Sequence, residues 1–212
     1  MGERVVTSRL FKREELAVDP LDLAPLLLGA TIEHASPEGT VAARLVEVEA
    51  YRGQDDPASH SYRGRTARNT VMWGFAGHLY VYFVYGMHFC ANVVAGEDGV
   101  AGAVLLRAAE VVSGAGLART RRKAARNDGQ LAQGPARLTS ALGIGPQHNG
   151  VDLVDPASPI RLLCGEDVPG SSIRTGPRVG VAAAMDTPWR FWIDDSAAVS
   201  SYRRGGRARP GK

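Results

Sequence analysis

Cysteine is almost absent from this chain: Cys90 and Cys164 are the only two in 212 residues. Their spacing fits neither a disulfide framework nor a metal-ligand pair, so a stapled secreted scaffold is excluded. Lysine is scarcer than its usual share, with only Lys12, Lys123 and Lys212, so the basic character rests on arginine. No apolar run is long enough to span a bilayer, and the N-terminal stretch lacks the regions of a signal peptide. The expectation is a cytoplasmic protein with no membrane partner. Repeats, linkers and breaks in composition are missing too. With 44% hydrophobic and 22% charged residues, the chain reads as one globular domain. Its expected limits are residues 10–200, after a flexible lead at 1–9 and before a disordered basic tail at 201–212.

The net charge of +3 is small, but the arginines are grouped. Arg63, Arg65 and Arg68 form one run, Arg119 to Arg126 a second, and Arg203 to Arg209 a third. Such runs suit phosphate contacts, and a solvated face is the plainer alternative.

Taken in order, Asp19-Pro20 reads as an N-cap with proline at the first helical position, and Gly29 as the stop. Residues 30–34 and 41–51 predict two strands around a turn at Ser36 to Gly39. Alternation in the second strand puts Leu45, Glu47, Glu49 and Tyr51 on one face. An acid on such an apolar strand is either an edge charge or a working group, and both readings hold for Glu47 and Glu49. Residues 52–77 predict a loop with short helices, where His60 alone reads as a structural hydrogen-bonding group. A strand follows at 103–110, in which Arg107 needs an acidic partner, with Glu49 the natural one. A basic helix over 116–126, a helix after Gly134-Pro135, and strands over 151–164, 177–182 and 189–194 complete the expectation.

The densest signal is His78 to Val94, HLYVYFVYGMHFCANVV, a hairpin of aromatic and β-branched residues that reverses around Gly86. Two registers are compatible with it. A two-residue turn opposes Tyr82 to Phe89 and turns Asn92 away. A three-residue loop, Tyr85 to Met87, places Tyr80, Tyr82, Cys90 and Asn92 on one face. Either way, large apolar side chains stand on a protruding tip, which suggests a contact surface.

Several fragments occur in one order: Glu49-Ala50-Tyr51, His60-Ser61, Arg68-Asn69, Leu79 to Tyr82, Tyr85-Gly86-Met87, Phe89 to Asn92, Leu105 to Arg107, Gly134-Pro135 and Arg178 to Val181. Together they resemble the alkyladenine DNA glycosylase family, the 3-methyladenine DNA glycosylases of the mammalian type, over about residues 10–200. The resemblance implies a mixed α/β single domain: a curved antiparallel β-sheet with surrounding helices and a protruding β-hairpin. It implies a monofunctional enzyme that flips alkylated or deaminated purines, hypoxanthine among them, out of double-stranded DNA. Such an enzyme cuts the N-glycosidic bond and leaves an abasic site for base excision repair. It implies no metal and no cofactor, and a monomer is expected.

By motif, the resemblance makes Glu49 the general base, with Arg107 and the backbone of Val179 holding the attacking water. Tyr51, His60 and Tyr82 become walls of the base pocket, and Asn92 the residue that crowds the amine of guanine. Tyr85 becomes the wedge in the duplex, with Met87 and Leu105 near it. Arg65, Thr66, Arg68, Asn69 and Arg137 are candidates for the DNA backbone. The chemistry suits these residue types. An alkylated purine is cationic, is favoured by aromatic faces and leaves readily, so a carboxylate that activates water is the main requirement. Arg107 nearby favours the ionised carboxylate, and burial opposes it. A non-catalytic sensor of damaged DNA would use the same hairpin but has no need of Glu49. An acyl- or formyl-transferase of similar size has no use for the wedge.

Overall fold

Seven of the ten residues from Val41 to Ala50 are apolar, interrupted by Arg44, Glu47 and Glu49, and the strand they form is buried on both faces. The structure is a computed structural model that describes residues 9–84 and 86–206. Tyr85, and the terminal residues 1–8 and 207–212, lie outside the described residues, and with them the expected wedge side chain and most of the expected end segments. The strands are β1 (Thr31–Ser36), β2 (Gly39–Tyr51), β3 (Leu79–Val84), β4 (His88–Val94), β5 (Ala103–Ser113), β6 (Ala132–Gln133), β7 (Ile160–Leu163), β8 (Ile173–Gly176) and β9 (Arg190–Ile193). They form one antiparallel sheet in the order β3-β4-β5-β2-β1-β7, with β6 on β5 and β8 on β9. Along β2, β5 pairs with one edge, while β1 and then β9 share the other. Among the described residues four α-helices accompany the sheet: α1 (Arg13–Leu16), α2 (Pro20–Leu26), α3 (Ala115–Arg121) and α4 (Pro135–Leu142). The fold is therefore the expected mixed α/β domain.

The expected alternation along β2 breaks in the middle. Leu45 pairs with Ala109 and Glu47 with Ala108, so Val46 is an extra residue. Val48 then pairs with Leu106, which leaves Arg107 unpaired on β5. These paired bulges re-aim the side chains around them. Leu45, expected on the face of Glu47 and Glu49, joins Val46, Val48 and Ala50 in the apolar core. Both carboxylates are left on the other side, opposite the re-aimed Arg107.

The hairpin takes the three-residue register: Tyr82 pairs with Cys90, Tyr80 with Asn92 and Val84 with His88. At the reversal Gly86 has φ 72°, which glycine tolerates without Cβ strain. Helix α4 packs its buried Leu138 and Leu142 beneath β4 and β5, and the Thr139 hydroxyl donates to Phe89 O at 2.8 Å. Asp19 caps α2 as expected, accepting from Leu21 N at 2.9 Å.

Four expectations are corrected. Residues 151–159 contribute only an isolated bridge, His78 to Asp152, and regular pairing starts at Ile160, past Pro156 and Pro159, which lack N–H donors. Residues 177–182 form no strand, because the Val179 N–H is taken by Glu49 and Gly180 turns the chain at φ 73°. The basic helix ends at Arg121 rather than 126. Strand β8 was not foreseen. Residues 201–206 run beside the 179–186 loop, with Gly180 N donating to Arg203 O at 3.0 Å.

Gly53 opens the loop that leads from β2 to His60. It has φ 62°, and a Cβ there would lie 2.0 Å from Ala101 O. Gly53→Ala is predicted to lower unfolding stability by at least about 2 kcal/mol, since left-handed strain adds to a backbone clash. Urea unfolding of the two proteins checks this.

Candidate functional site

The bulge in β2, the concave face of the hairpin and two loops converge on a cavity of roughly 320 Å³. That volume is at the small end of ligand pockets, about 300–1,000 Å³. The loops are residues 52–60, which follow β2, and residues 177–182. Tyr51, His60, Tyr82, Asn92, Leu105, Arg107 and Val179 all line the cavity, so seven of the expected site residues meet there.

Its aromatic walls have defined geometry. His60 meets Tyr82 edge-on at 4.5 Å between ring centroids, and Tyr82 stacks with Tyr80 at 5.4 Å. His60 Nδ1 is 3.2 Å from the Tyr80 hydroxyl. Burial first, and then the Arg68 charge, lower the His60 pKa below its ordinary 6.5, so the imidazole is neutral at pH 7 and can accept from Tyr80. Burial also holds the phenols of Tyr51 and Tyr82 well above their usual range. Both are therefore proton-bearing donors. Cys90, opposite Tyr82, is pushed up to about 11 by burial and stays a thiol.

Glu49 stands behind this wall with no exposed surface. Every group facing its carboxylate is a donor. Val179 N donates to Oε1 at 2.7 Å, the Tyr51 hydroxyl to Oε2 at 2.9 Å, and Arg107 Nη1 lies 3.4 Å from Oε1. Glu47, two residues earlier, is more fully enclosed. Arg107 and Arg190 donate to its Oε1 at 3.1 and 2.6 Å, and Ser200 donates its N–H to Oε2 at 2.7 Å and its hydroxyl to Oε1 at 2.9 Å. Two carboxylates thus face two guanidiniums, and the buried cluster carries no net charge. Of the donors to Glu47, only Arg107 lines the cavity. Glu49 shares all three of its partners with that lining.

Asn92 is buried, and its Nδ2 donates to Tyr80 O at 3.1 Å. Among the described residues no donor meets its Oδ1. Leu105 pairs across from Asn92 and lies on the cavity floor, 4% exposed, rather than at the tip. Met87 does stand at the tip, 71% exposed, and Phe83 on β3 is half exposed.

The candidates for a polyanion divide. Arg65, Arg68 and Arg137 are exposed. Arg68 lies over the Tyr82 ring at 5.8 Å and donates to Phe83 O. Asn69 is buried: its amide donates to His60 O and Gly64 O and its Oδ1 accepts from Thr66 N, so its side chain shapes the loop. Thr66 takes part in the same turn, accepting from Asn69 N. The second arginine run is largely engaged within the molecule. Arg119 pairs with Asp128, Arg121 with Glu38, and Arg122 with Leu131 O.

Sequence reasoning missed Arg190 and Ser200, which complete the Glu47 cluster, and the fully buried pair Arg178–Asp56. These partners come from segments over a hundred residues apart, and no local pattern links them. The one available signal was excess: more arginines fall inside apolar segments than solvent contact explains.

The Methylpurine-DNA glycosylase family model matches residues 14–197. The chain is 57% identical over 200 residues to a protein of Nocardia farcinica, covering 92% of each. It is 53% identical over 193 residues to one of Streptomyces avermitilis, covering 90% of this chain and 91% of that one. A protein of Mycobacterium tuberculosis is 50% identical over 200 residues, covering 92% and 95%. All three are provisionally named 3-methyladenine DNA glycosylases.

His60 generates a pH prediction. Its folded pKa is depressed, so the unfolded chain binds the proton first as pH falls below 6.5. Its contribution to stability is complete above that pH and declines as pH drops toward the folded value. His148 is shifted the same way. Between pH 7 and about pH 5.5 the urea midpoint should therefore fall, and His60→Gln should reduce the slope but not abolish it. Identical slopes in both proteins would contradict the assignment.

Proposed function

The chain belongs to the methylpurine-DNA glycosylase family, and from that premise we propose that it excises damaged purines, alkylated adenine and hypoxanthine among them, from duplex DNA. The observation that carries this reading is Glu49, a carboxylate ringed by donors, just behind an aromatic cavity at the base of an apolar-tipped hairpin. A base in a duplex is out of reach of any such carboxylate, so the nucleotide must be extruded. The tip around Met87, with Tyr85, fills the gap left in the stack and offsets part of the unstacking cost of roughly a few kcal/mol.

In this mechanism the extruded purine stacks against Tyr51, His60 and Tyr82. An alkylated base carries positive charge, which the faces of the two tyrosines favour. A neutral His60 adds no repulsion. Glu49 takes a proton from water, and the oxygen attacks C1′ of the sugar as the N-glycosidic bond breaks. The bonding pair returns to the base: it neutralises an alkylated base, while hypoxanthine leaves as an anion that takes a proton from solvent, and in both cases the sugar is left abasic. Arg107 orients the water. The Val179 N–H already donates to Glu49, so the backbone group left for water is its carbonyl. Arg65, Arg68 and Arg137 meet phosphates in this reading, which their exposure supports. A damage sensor without catalysis has no use for a buried acid whose three partners all line the base cavity.

The direct test is incubation with a duplex that carries one hypoxanthine or alkylated adenine, followed by alkali; strand scission at the lesion is the expected result. Glu49→Gln should keep DNA affinity and lose single-turnover excision by about 10²–10⁴-fold. Near-normal excision by that variant would refute the role of Glu49.

Asn92 carries the specificity prediction. Its amide is anchored to Tyr80 O at the cavity wall, so the side chain is held in place against an incoming base. Guanine differs from hypoxanthine by its 2-amino group, and stacking alone cannot reject it. Asn92→Ser should gain excision of guanine while retaining hypoxanthine activity. Unchanged guanine rates in a variant active on hypoxanthine would remove Asn92 from this role.

A further inference from the structure

Arg178 is the largest fully buried side chain among the described residues, and the mechanism above gives it no task. It lies at the junction of the two loops that wall the cavity. Nη1 and Nη2 donate to Asp56 Oδ2 and Oδ1 at 2.5 and 2.8 Å, and Nη1 also donates to Ala50 O at 3.0 Å. Asp56 holds the loop of His60 through Ala58 N, at 3.0 Å. On its other side Arg178 is bonded to Val179, whose N–H donates to Glu49. One ion pair therefore clasps the segment that carries the acid, the loop with His60 and the loop with Val179.

The guanidinium also has an electrostatic position. Its central carbon lies 4.6 Å from the centroid of the Tyr51 ring and 5.0 Å from that of Trp189. Tyr51 lines the cavity and Arg178 does not, which fits a guanidinium on the ring face turned away from the cavity. A cation on one face of a ring withdraws π-electron density from the other, so the front face attracts a second cation less. A buried ion pair is weak evidence for stability, because a well-packed apolar pair of the same size is often as stable. Its presence here is better accounted for by position.

Resting on the glycosylase reading, we propose that Arg178 is a positioning residue for Glu49 and Tyr51, and that by backing the Tyr51 ring it restrains the pocket's preference for cationic over neutral bases. Its loss should have two separable effects. Displacement of the Val179 amide and the Tyr51 hydroxyl should slow the chemical step on every substrate. Removal of the rear cation should strengthen binding of cationic bases relative to neutral ones.

The test compares the wild-type protein, Arg178→Lys, and the double variant Arg178→Met with Asp56→Asn. The double variant removes both charges together and keeps an acceptor for Ala58 N. Cooperative unfolding confirms that each variant is folded. Single-turnover excision is measured on duplexes with one 7-methylguanine, a cationic base, or one hypoxanthine, a neutral one. Affinity is measured on the same duplexes with a 2′-fluoro sugar, which blocks cleavage. The double variant should lose about tenfold or more in excision rate, and its affinity ratio of cationic to neutral base should rise by about three- to tenfold. Arg178→Lys, which keeps the rear cation, should show the slowed excision with a ratio near wild type. If folded variants keep the wild-type rate, or if the ratio is the same in all three proteins, the inference is overturned. If the wild-type protein excises neither base, the glycosylase reading fails instead, and the two failures are distinguishable. Where the double variant does not fold, the single variant Arg178→Gln, with its amide in reach of Asp56, gives the same ratio measurement with the same expected rise.

Discussion

The Glu47 carboxylate is the interaction on which the site depends. It has no exposed surface and gathers Arg107 from β5, Arg190 from β9 and Ser200 from the segment that follows. Removing a single carboxylate from water costs several kcal/mol, and only charge-assisted bonds on all sides offset this. The arrangement leaves Arg107 shared between Glu47 and Glu49. The guanidinium is held from behind by a saturated acid and faces the second acid from a fixed position. Take away Glu47, and two arginines are left in an apolar sheet with one carboxylate between them. Glu49 would then be drawn into neutralising them, and its alignment with Tyr51 and Val179 would go. Glu49 is thus set apart from its neighbour by the number of donors each one meets, since burial treats the two alike.

How much of this was legible in the sequence follows from the range of each interaction. The β1–β2 turn, the α2 cap at Asp19 and the hairpin around Gly86 are written in residues two to six apart, and they stand where expected. The alternation along β2 was read correctly on either side of Val46 and wrongly across it. A bulge is a property of the pair of strands, and one strand's sequence does not contain it. The same limit explains the false strand at 177–182. Its residues have strand propensity, but the Val179 N–H finds a carboxylate before it finds a ladder. Its neighbour Ile173–Gly176 has no stronger local pattern, yet it pairs because β9 offers a free edge.

The two acids show how a site can be half visible. The sequence marks Glu47 and Glu49 as unusual, because both lie on an apolar strand, but it gives them equal standing. Only the resemblance to the family separated them. The geometry separates them on independent grounds: of the donors to Glu47 only Arg107 lines the cavity, whereas all three partners of Glu49 do. The arginine runs were the least informative feature. Arg119, Arg121 and Arg122 read as a phosphate surface, and each has an intramolecular partner. A cluster of one charge in sequence says nothing about whether its partners are already folded against it.

The hairpin raises a different constraint, because β3 is the edge of the sheet. Edge strands with exposed aromatic residues invite pairing with another chain unless they are covered. Here the inner half is covered. Leu79 exchanges both backbone bonds with the 150–151 segment, and Val81 N donates to Asn149 Oδ1 at 3.0 Å. Cover ends at Phe83, whose carbonyl accepts from the exposed Arg68. The strand is therefore held where its tyrosines wall the cavity and left open where Phe83 and Met87 face solvent. An arginine at the boundary discourages another strand and attracts a phosphate. The wedge proposed above needs an anchored root and a bare end, and the placement of Asn149 and Arg68 supplies both.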